Sequence, residues 1–156
     1  MIKIWIPGRK ELVISQVIFD YNGTLAVDGK PMSGVMEGLN QLSKNMKVAV
    51  LTADTHGTAQ EELAGANVVL HRFPSDQAGL SKREYVLQQS AFETAVVGNG
   101  HNDLPMFEVS GLSIAVIGRE GCNGKLISRA DIVVTDIKHV FELLLRPDRI
   151  KATLRA

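Results

Sequence analysis

The stretch Val17-Ile18-Phe19-Asp20-Tyr21-Asn22-Gly23-Thr24 decides how this chain is read. Its first three residues form a short, unbroken β-branched and aromatic run, the pattern of a strand buried on both faces of a parallel sheet. In open parallel sheets the ligand crevice lies just beyond the carboxyl ends of the strands. Asp20 is therefore expected at a strand tip, held there by a rigid element. Gly23 permits a backbone shape closed to other residues, and Thr24 offers a hydroxyl suited to a phosphate oxygen.

Outward from this run, short apolar segments alternate with helix-length segments. The expected strands are Val17–Asp20, Val48–Leu51, Val68–Leu70, Ala95–Val97, Ile114–Ile117 and Ile132–Val134. The expected helices are Gly34–Lys44, Thr58–Leu63, Gln77–Gln89, Leu104–Val109, Lys125–Arg129 and Ile137–Leu145. That alternation indicates βαβ units, hence an α/β fold with a three-layer, Rossmann-like parallel sheet covered by helices on both faces. Ahead of it, Ile2, Ile4 and Ile6 alternate, Pro7-Gly8-Arg9-Lys10 makes a turn, and Leu12-Val13-Ile14 returns, which reads as an N-terminal β-hairpin. The Leu/Val stripes of Gln77–Gln89 and Ile137–Leu145 are expected to be core faces, and the basic tail after Pro147 a solvated end.

The 156 residues are expected to form a single domain spanning 1–156. Lys plus Arg and Asp plus Glu both number 17. This balance supports neither a nucleic-acid nor a membrane-surface partner. No apolar run reaches the roughly 18–20 residues that span a bilayer, and the amino terminus lacks a signal-peptide pattern. A cytoplasmic location is the expectation. Cys122 is the only cysteine, which excludes an internal disulfide and a thiolate metal cluster.

Polar residues follow nearly every expected core strand. Asp20, Asn22 and Thr24 follow the first, Thr52 and Asp54 the second, and Gly98-Asn99-Gly100-His101-Asn102-Asp103 the fourth, while Lys82 lies in the helix-like stretch before it. In a parallel sheet these ends share one edge and can converge. A carboxylate nucleophile, a hydroxyl, an ammonium and oxygen ligands make a set suited to phosphate and magnesium.

In these stations the chain resembles the haloacid dehalogenase-like (HAD) phosphohydrolases, a superfamily that includes the catalytic domains of P-type ATPases. Their pattern is Asp-x-Asp-x-Thr, then Ser or Thr, then Lys, then Gly-Asp-x-x-x-Asp. Thr52-Ala53-Asp54 is similar to the Thr-Gly-Asp of the pumps, and Gly100-His101-Asn102-Asp103 to their Gly-x-Asn-Asp. The first station, with Leu25-Ala26 and Asp28-Gly29, resembles the soluble P-type ATPase-like group. The resemblance implies a Mg²⁺-dependent phosphohydrolase in which Asp20 attacks phosphorus and forms an aspartyl-phosphate. It implies that Mg²⁺ is held by Asp20, Asn22, Asn99 and Asp103. Thr52, Ala53 and amides near Gly23 would hold the phosphoryl oxygens, and Lys82 would neutralise charge on phosphate and Asp20.

Two departures temper the expected activity. Asn22 stands where the phosphatases carry an acid–base Asp, a loss typically of about 10²–10⁴-fold in rate. Asn99 stands where a charged metal ligand is usual, and a neutral amide oxygen binds Mg²⁺ more weakly. A slow phosphatase is the first reading; a degenerate relative that binds phosphate or a partner without turnover is the alternative. The intervals from Asp20 to Thr52 and from Thr52 to Lys82 hold no cap domain. An open site implies a small phosphorylated molecule or a phosphorylated macromolecule as substrate, and a homo-oligomer as one way to cover it.

Overall fold

The structure is a computed structural model that describes residues 1–53 and 57–156. The strands are β1 (Ile2–Ile4), β2 (Leu12–Ile14), β3 (Gln16–Asp20), β4 (Ala26–Val27), β5 (Lys30–Pro31), β6 (Lys47–Thr52), β7 (Val69–Arg72), β8 (Thr94–Gly98), β9 (Leu112–Val116) and β10 (Ile132–Val134). The helices are α1 (Val35–Leu42), α2 (Ala59–Glu62), α3 (Ala78–Gln88), α4 (Leu104–Phe107), α5 (Gly124–Arg129), α6 (Ile137–Leu145) and α7 (Pro147–Leu154). Every expected strand and helix is present, with ends shifted by at most two residues.

Six strands form one parallel sheet in the order β10-β9-β8-β3-β6-β7. The chain builds outward from β3 in one direction through β6 and β7, then returns to build β8, β9 and β10 on the other side. The strand order therefore reverses between β3 and β8, and a crevice opens at such a point beyond the carboxyl ends.

Strand residues alternate between two cores, as the two-residue side-chain period requires. Val17, Phe19, Val48, Val50, Ala95 and Val97 pack with residues of α1, α6 and α7. Ile18, Ala49, Leu51, Val96 and Ala115 pack on the other face with Val86 of α3, Met106 of α4 and Leu126 of α5. Three layers result.

The N-terminal hairpin β1–β2 is antiparallel and forms a separate two-stranded sheet. Trp5 beyond it is 62% exposed, with the Lys151 ammonium 5.5 Å from its ring. A second small hairpin, β4–β5, turns at Asp28 and Gly29, both at positive φ. It forms a flap immediately after the Asp20 loop.

Two expectations are corrected. The tail is not a solvated end: it forms α7, with Ile150 and Leu154 buried at i, i+4 spacing among basic residues. Pro147 opens it because its missing N–H would have been an orphan there. The leucines of α3 are not a core stripe either. Leu80 and Leu87 are exposed, and the buried row is Ala78, Lys82 and Val86. Among the described residues no helix is long and apolar enough to cross a membrane.

Candidate active site

Lys82 lies at the middle of the buried row of α3, with no solvent exposure. Its ammonium donates to Asp20 Oδ1 at 2.5 Å and to Asp103 Oδ1 at 2.7 Å. Asp20 ends β3, and Asp103 ends the helical turn that follows β8. A helix on one face thus ties together the two strands that flank the crevice. A solvated surface role for Lys82 is excluded by this burial.

Asp103 holds its own loop as well. Its Oδ2 accepts from the N–H groups of Asn99 at 3.0 Å and Gly100 at 2.9 Å. Gly98 makes room for this, since a Cβ there would stand 2.4 Å from Asp103 Oδ2. Both carboxylate oxygens of Asp103 are thereby engaged.

On the other side of Asp20, Thr24 Oγ1 lies 3.4 Å from Asp20 Oδ2 and 3.1 Å from Asn99 Oδ1. One hydroxyl carries one proton and can donate to only one of these acceptors at a time. An oxygen lone pair of Asp20 or Asn99 is therefore left facing the gap between them. Asn99 Nδ2 donates to the Gly121 carbonyl at 3.2 Å, which fixes its amide oxygen toward Thr24. Gly23 is required twice: its φ is +81°, and a Cβ would stand 2.2 Å from Asn99 Nδ2.

The expectation that the Gly23 amide holds a phosphoryl oxygen is corrected. Its N–H donates to the Ala26 carbonyl at 2.8 Å, and that of Thr24 to the Tyr21 carbonyl at 3.2 Å. Both are taken up in closing the turn. The Asn22 N–H makes no hydrogen bond among the described residues. The Asn22 side-chain Oδ1 is buried and unpartnered among them. Thr52 is buried at the tip of β6, beside β3 in the sheet, with Ala53 half-buried after it. Asp54 and His56 lie outside the described residues. His101 is exposed.

Tyr21 is a residue the sequence reading left without a role. It is fully buried, and its hydroxyl donates to the Gly29 carbonyl at the flap tip, 2.9 Å away. An aromatic ring in an otherwise small, polar loop is the signal that marks it.

Burial pushes the Asp20 carboxyl up to about 6, the Asp103 charge adds to the rise, and Lys82 opposes both. Burial alone would lower the Lys82 ammonium, but the two carboxylates outweigh it and hold it above its usual range. Lys82 thus remains a cation, and Asp20, a carboxylate at neutral pH, takes a proton more readily than an ordinary aspartate.

Among the described residues no group of three or more His, Cys, Asp or Glu gathers to hold a metal. The oxygens offered are Asp20 Oδ2, Asn99 Oδ1 and the Asn22 carbonyl, which accepts no hydrogen bond among those residues. A few hard oxygens without nitrogen or sulfur suit Mg²⁺, which keeps several waters, and do not suit zinc.

No family model matches the chain. The fold is that of HAD phosphatases. The 3-deoxy-D-manno-octulosonate 8-phosphate phosphatase of Moraxella catarrhalis, solved with magnesium, phosphate and KDO, superposes with a TM-score of 0.71 at 17% identity over 91% of this chain and 94% of that one. The cobalt-bound deoxy-D-mannose-octulosonate 8-phosphate phosphatase of Haemophilus influenzae gives 0.71 at 18% identity over 92% and 94%. In sequence, the chain is 48% identical over 59 residues to an uncharacterised protein of Methanocaldococcus jannaschii, across 38% of this chain and 63% of that protein, less than two thirds of its length. It is 44% identical over 39 residues, 25% of this chain, to a second uncharacterised protein of that organism, covering 89% of it, and belongs to one family with it. A weaker likeness, 34% over 94 residues, links 55% of the chain to 10% of the cadmium/zinc-transporting ATPase HMA2 of Arabidopsis thaliana.

Proposed function

We propose that this protein is a Mg²⁺-dependent phosphohydrolase that works through an aspartyl-phosphate on Asp20. The observation that carries the reading is the buried Lys82 ammonium between Asp20 and Asp103, at the point where the strand order reverses. A lysine held there keeps Asp20 aimed at the crevice and its charge partly neutralised, so that an anionic phosphate can approach.

An Asp20 carboxylate oxygen attacks phosphorus as the bond to the leaving oxygen breaks, giving the acyl phosphate. Water then attacks phosphorus, inorganic phosphate departs and the carboxylate is regenerated. Thr52 and the Asn22 and Ala53 amides hold the phosphoryl oxygens, and Lys82 offsets the charge that develops on them. Asp20, Asn99 and the Asn22 carbonyl would hold Mg²⁺, with Asp103 acting on it through water because its oxygens are engaged. The cation would supply further charge neutralisation at the phosphate.

Asn22 has no proton to give, so the leaving group departs as an anion or takes its proton from water. Substrates with good leaving groups, acyl phosphates above all, are favoured. The second reading, phosphate binding without turnover, is supported by the neutral Asn22 and Asn99. The deciding measurement is hydrolysis of acetyl phosphate and p-nitrophenyl phosphate with and without Mg²⁺. Activity that is Mg²⁺-dependent and lost in Asp20→Asn supports the enzyme. Activity retained in Asp20→Asn removes the mechanism, and phosphate binding with no hydrolysis supports the second reading.

A further inference from the structure

Beside the catalytic loop lies a depression of about 630 Å³ between the flap, the turn after β9 and the start of α6. Its walls carry three cations, Lys30 from the flap, Arg119 from the turn and Lys138 from α6, with Asp28 and Asp136. All five are exposed. The Asp136 carboxylate is engaged as the cap of α6, accepting from the Lys138 N–H at 2.8 Å. Among the described residues, none of the three cations forms an ion pair. Three like charges from three elements thus face one depression and, among the described residues, no carboxylate pairs with them.

One wall of the depression, the turn after β9, also contacts the active-site loops. The turn that carries Arg119 is closed by a bridge between Gly118 and Gly121. Gly118 lies against the catalytic loop, so that a Cβ on it would stand 3.2 Å from the Gly23 carbonyl oxygen. Gly121 accepts from Asn99 Nδ2, and Glu120 Oε1 accepts from the Asp28 N–H of the flap at 2.9 Å. One short turn therefore touches the Asp20 loop, the Asn99 loop and the flap, and presents Arg119 to the depression. Lys138 is placed by its stem, which runs beside Gly34, where a Cβ would stand 3.3 Å from its Cε.

We infer that this depression receives a second anionic group of the substrate, a carboxylate or a second phosphate, while the transferable phosphate sits at Asp20. Arg119 supplies a planar fork matched to either group, and the two lysines supply point charges. The substrate class is then a phosphorylated small molecule with two anionic ends. This inference rests on the phosphohydrolase reading and adds the chemistry of the leaving group to it.

The test is isothermal titration of the full chain carrying Asp20→Asn, a change expected to stop turnover, in the presence of Mg²⁺. The probes are glycerol 3-phosphate, whose tail is neutral, 3-phosphoglycerate, whose tail is a carboxylate, and fructose 1,6-bisphosphate. One of the bis-anions is expected to bind at least about tenfold more tightly than glycerol 3-phosphate, the advantage of one charge-assisted contact. In Arg119→Ala/Lys138→Ala that ratio is expected to fall below about twofold, and Lys30→Ala should lower it in the same direction. Which bis-anion wins tells carboxylate from phosphate. A ratio near one in the starting protein, or one that survives loss of Arg119 and Lys138, overturns the inference while leaving the phosphohydrolase reading standing. Binding of none of the three overturns this inference as well, and the phosphohydrolase reading is then decided by acetyl phosphate hydrolysis alone.

Discussion

Helices α3 and α6 lie on opposite faces of one sheet, and each presents a single buried row to it. The row of α6 is Ile137, Val140, Phe141 and Leu144, all within the larger core. The row of α3 is Ala78, Lys82 and Val86. Full burial of a large apolar side chain stabilises by about 1.5–3 kcal/mol, so α6 is held to the sheet by apolar area, with no buried charge in its row. In α3 an ammonium sits among two carboxylates, and desolvating three charges costs several kcal/mol per ion unless geometry and hydrogen bonds compensate. One helix secures the fold; the other gives up stability to place a charge.

That contrast is sharpest in a pair of substitutions. Asp20→Asn is expected to cut phosphatase turnover on the order of 10⁴-fold or more, yet to leave the fold intact because a neutral Lys82–Asp103 pair remains. Phe141→Ala is expected to do the reverse, costing about 3–5 kcal/mol while the folded fraction keeps its turnover. Denaturant titration beside acetyl phosphate hydrolysis checks both. A stability loss in Asp20→Asn as large as that in Phe141→Ala would erase the distinction.

Lys82→Met joins the two effects in one residue. It leaves two carboxylates buried without their cation, so a loss of about 3–5 kcal/mol is expected together with loss of turnover. Adding Asp103→Asn should recover part of the stability and none of the activity. Recovery of neither would mean that Lys82 acts mainly by packing, like the residues of α6.

A smaller change addresses what the site lacks. Asn22→Asp restores a group able to donate a proton, and a rise of up to about 10²-fold in p-nitrophenyl phosphate turnover is expected, at the low end for general acid catalysis. The gain should be smaller with acetyl phosphate, whose leaving group needs no proton. Equal gains on both would point to metal affinity instead of proton donation.

The sheet, the six core helices and the N-terminal hairpin were legible because apolar runs and helical stripes repeat along the chain. Asp20, Thr52, Asn99 and Asp103 were legible as residues at or just beyond strand ends, and Lys82 as a cation in the helix-like stretch before the fourth strand. Their couplings were not. Nothing in the spacing of Lys82 among Ser81, Arg83 and Glu84 shows that its row faces inward, since α3 has leucines on its outer side. The α7 stripe was hidden because Ile150 and Leu154 are only two large apolar positions in a basic segment. The use of the Gly23 N–H inside its own turn depends on the positive φ at that residue, which the sequence permits without requiring.

Proton competition gives a graded test of the same contrast. A divalent cation needs Asp20 as carboxylate, and burial with the Asp103 charge holds that carboxyl up to about 6 despite Lys82. The sign follows: above that pH the carboxylate is free for metal, and below it a proton must leave first. Apparent Mg²⁺ affinity should fall about tenfold for each pH unit below 6, with proton release seen as a buffer-dependent heat. A flat affinity between pH 5 and 7 would detach Asp20 from the cation.

The smallest expected effect comes from the other ion pair, Arg149 of α7 with Glu142 of α6, whose side chains are 45% and 49% exposed. It has the same charges in contact as the Lys82 cluster but keeps its water, so neither the desolvation penalty nor the strong attraction of a buried pair applies. Arg149→Ala and Glu142→Ala are each expected to cost less than about 1 kcal/mol, with a double-mutant coupling that fades in high salt. A coupling that persists at molar salt would show that α7 is pinned to α6 by charge. Ile150 and Leu154, buried beneath it, predict instead that apolar contact does the pinning.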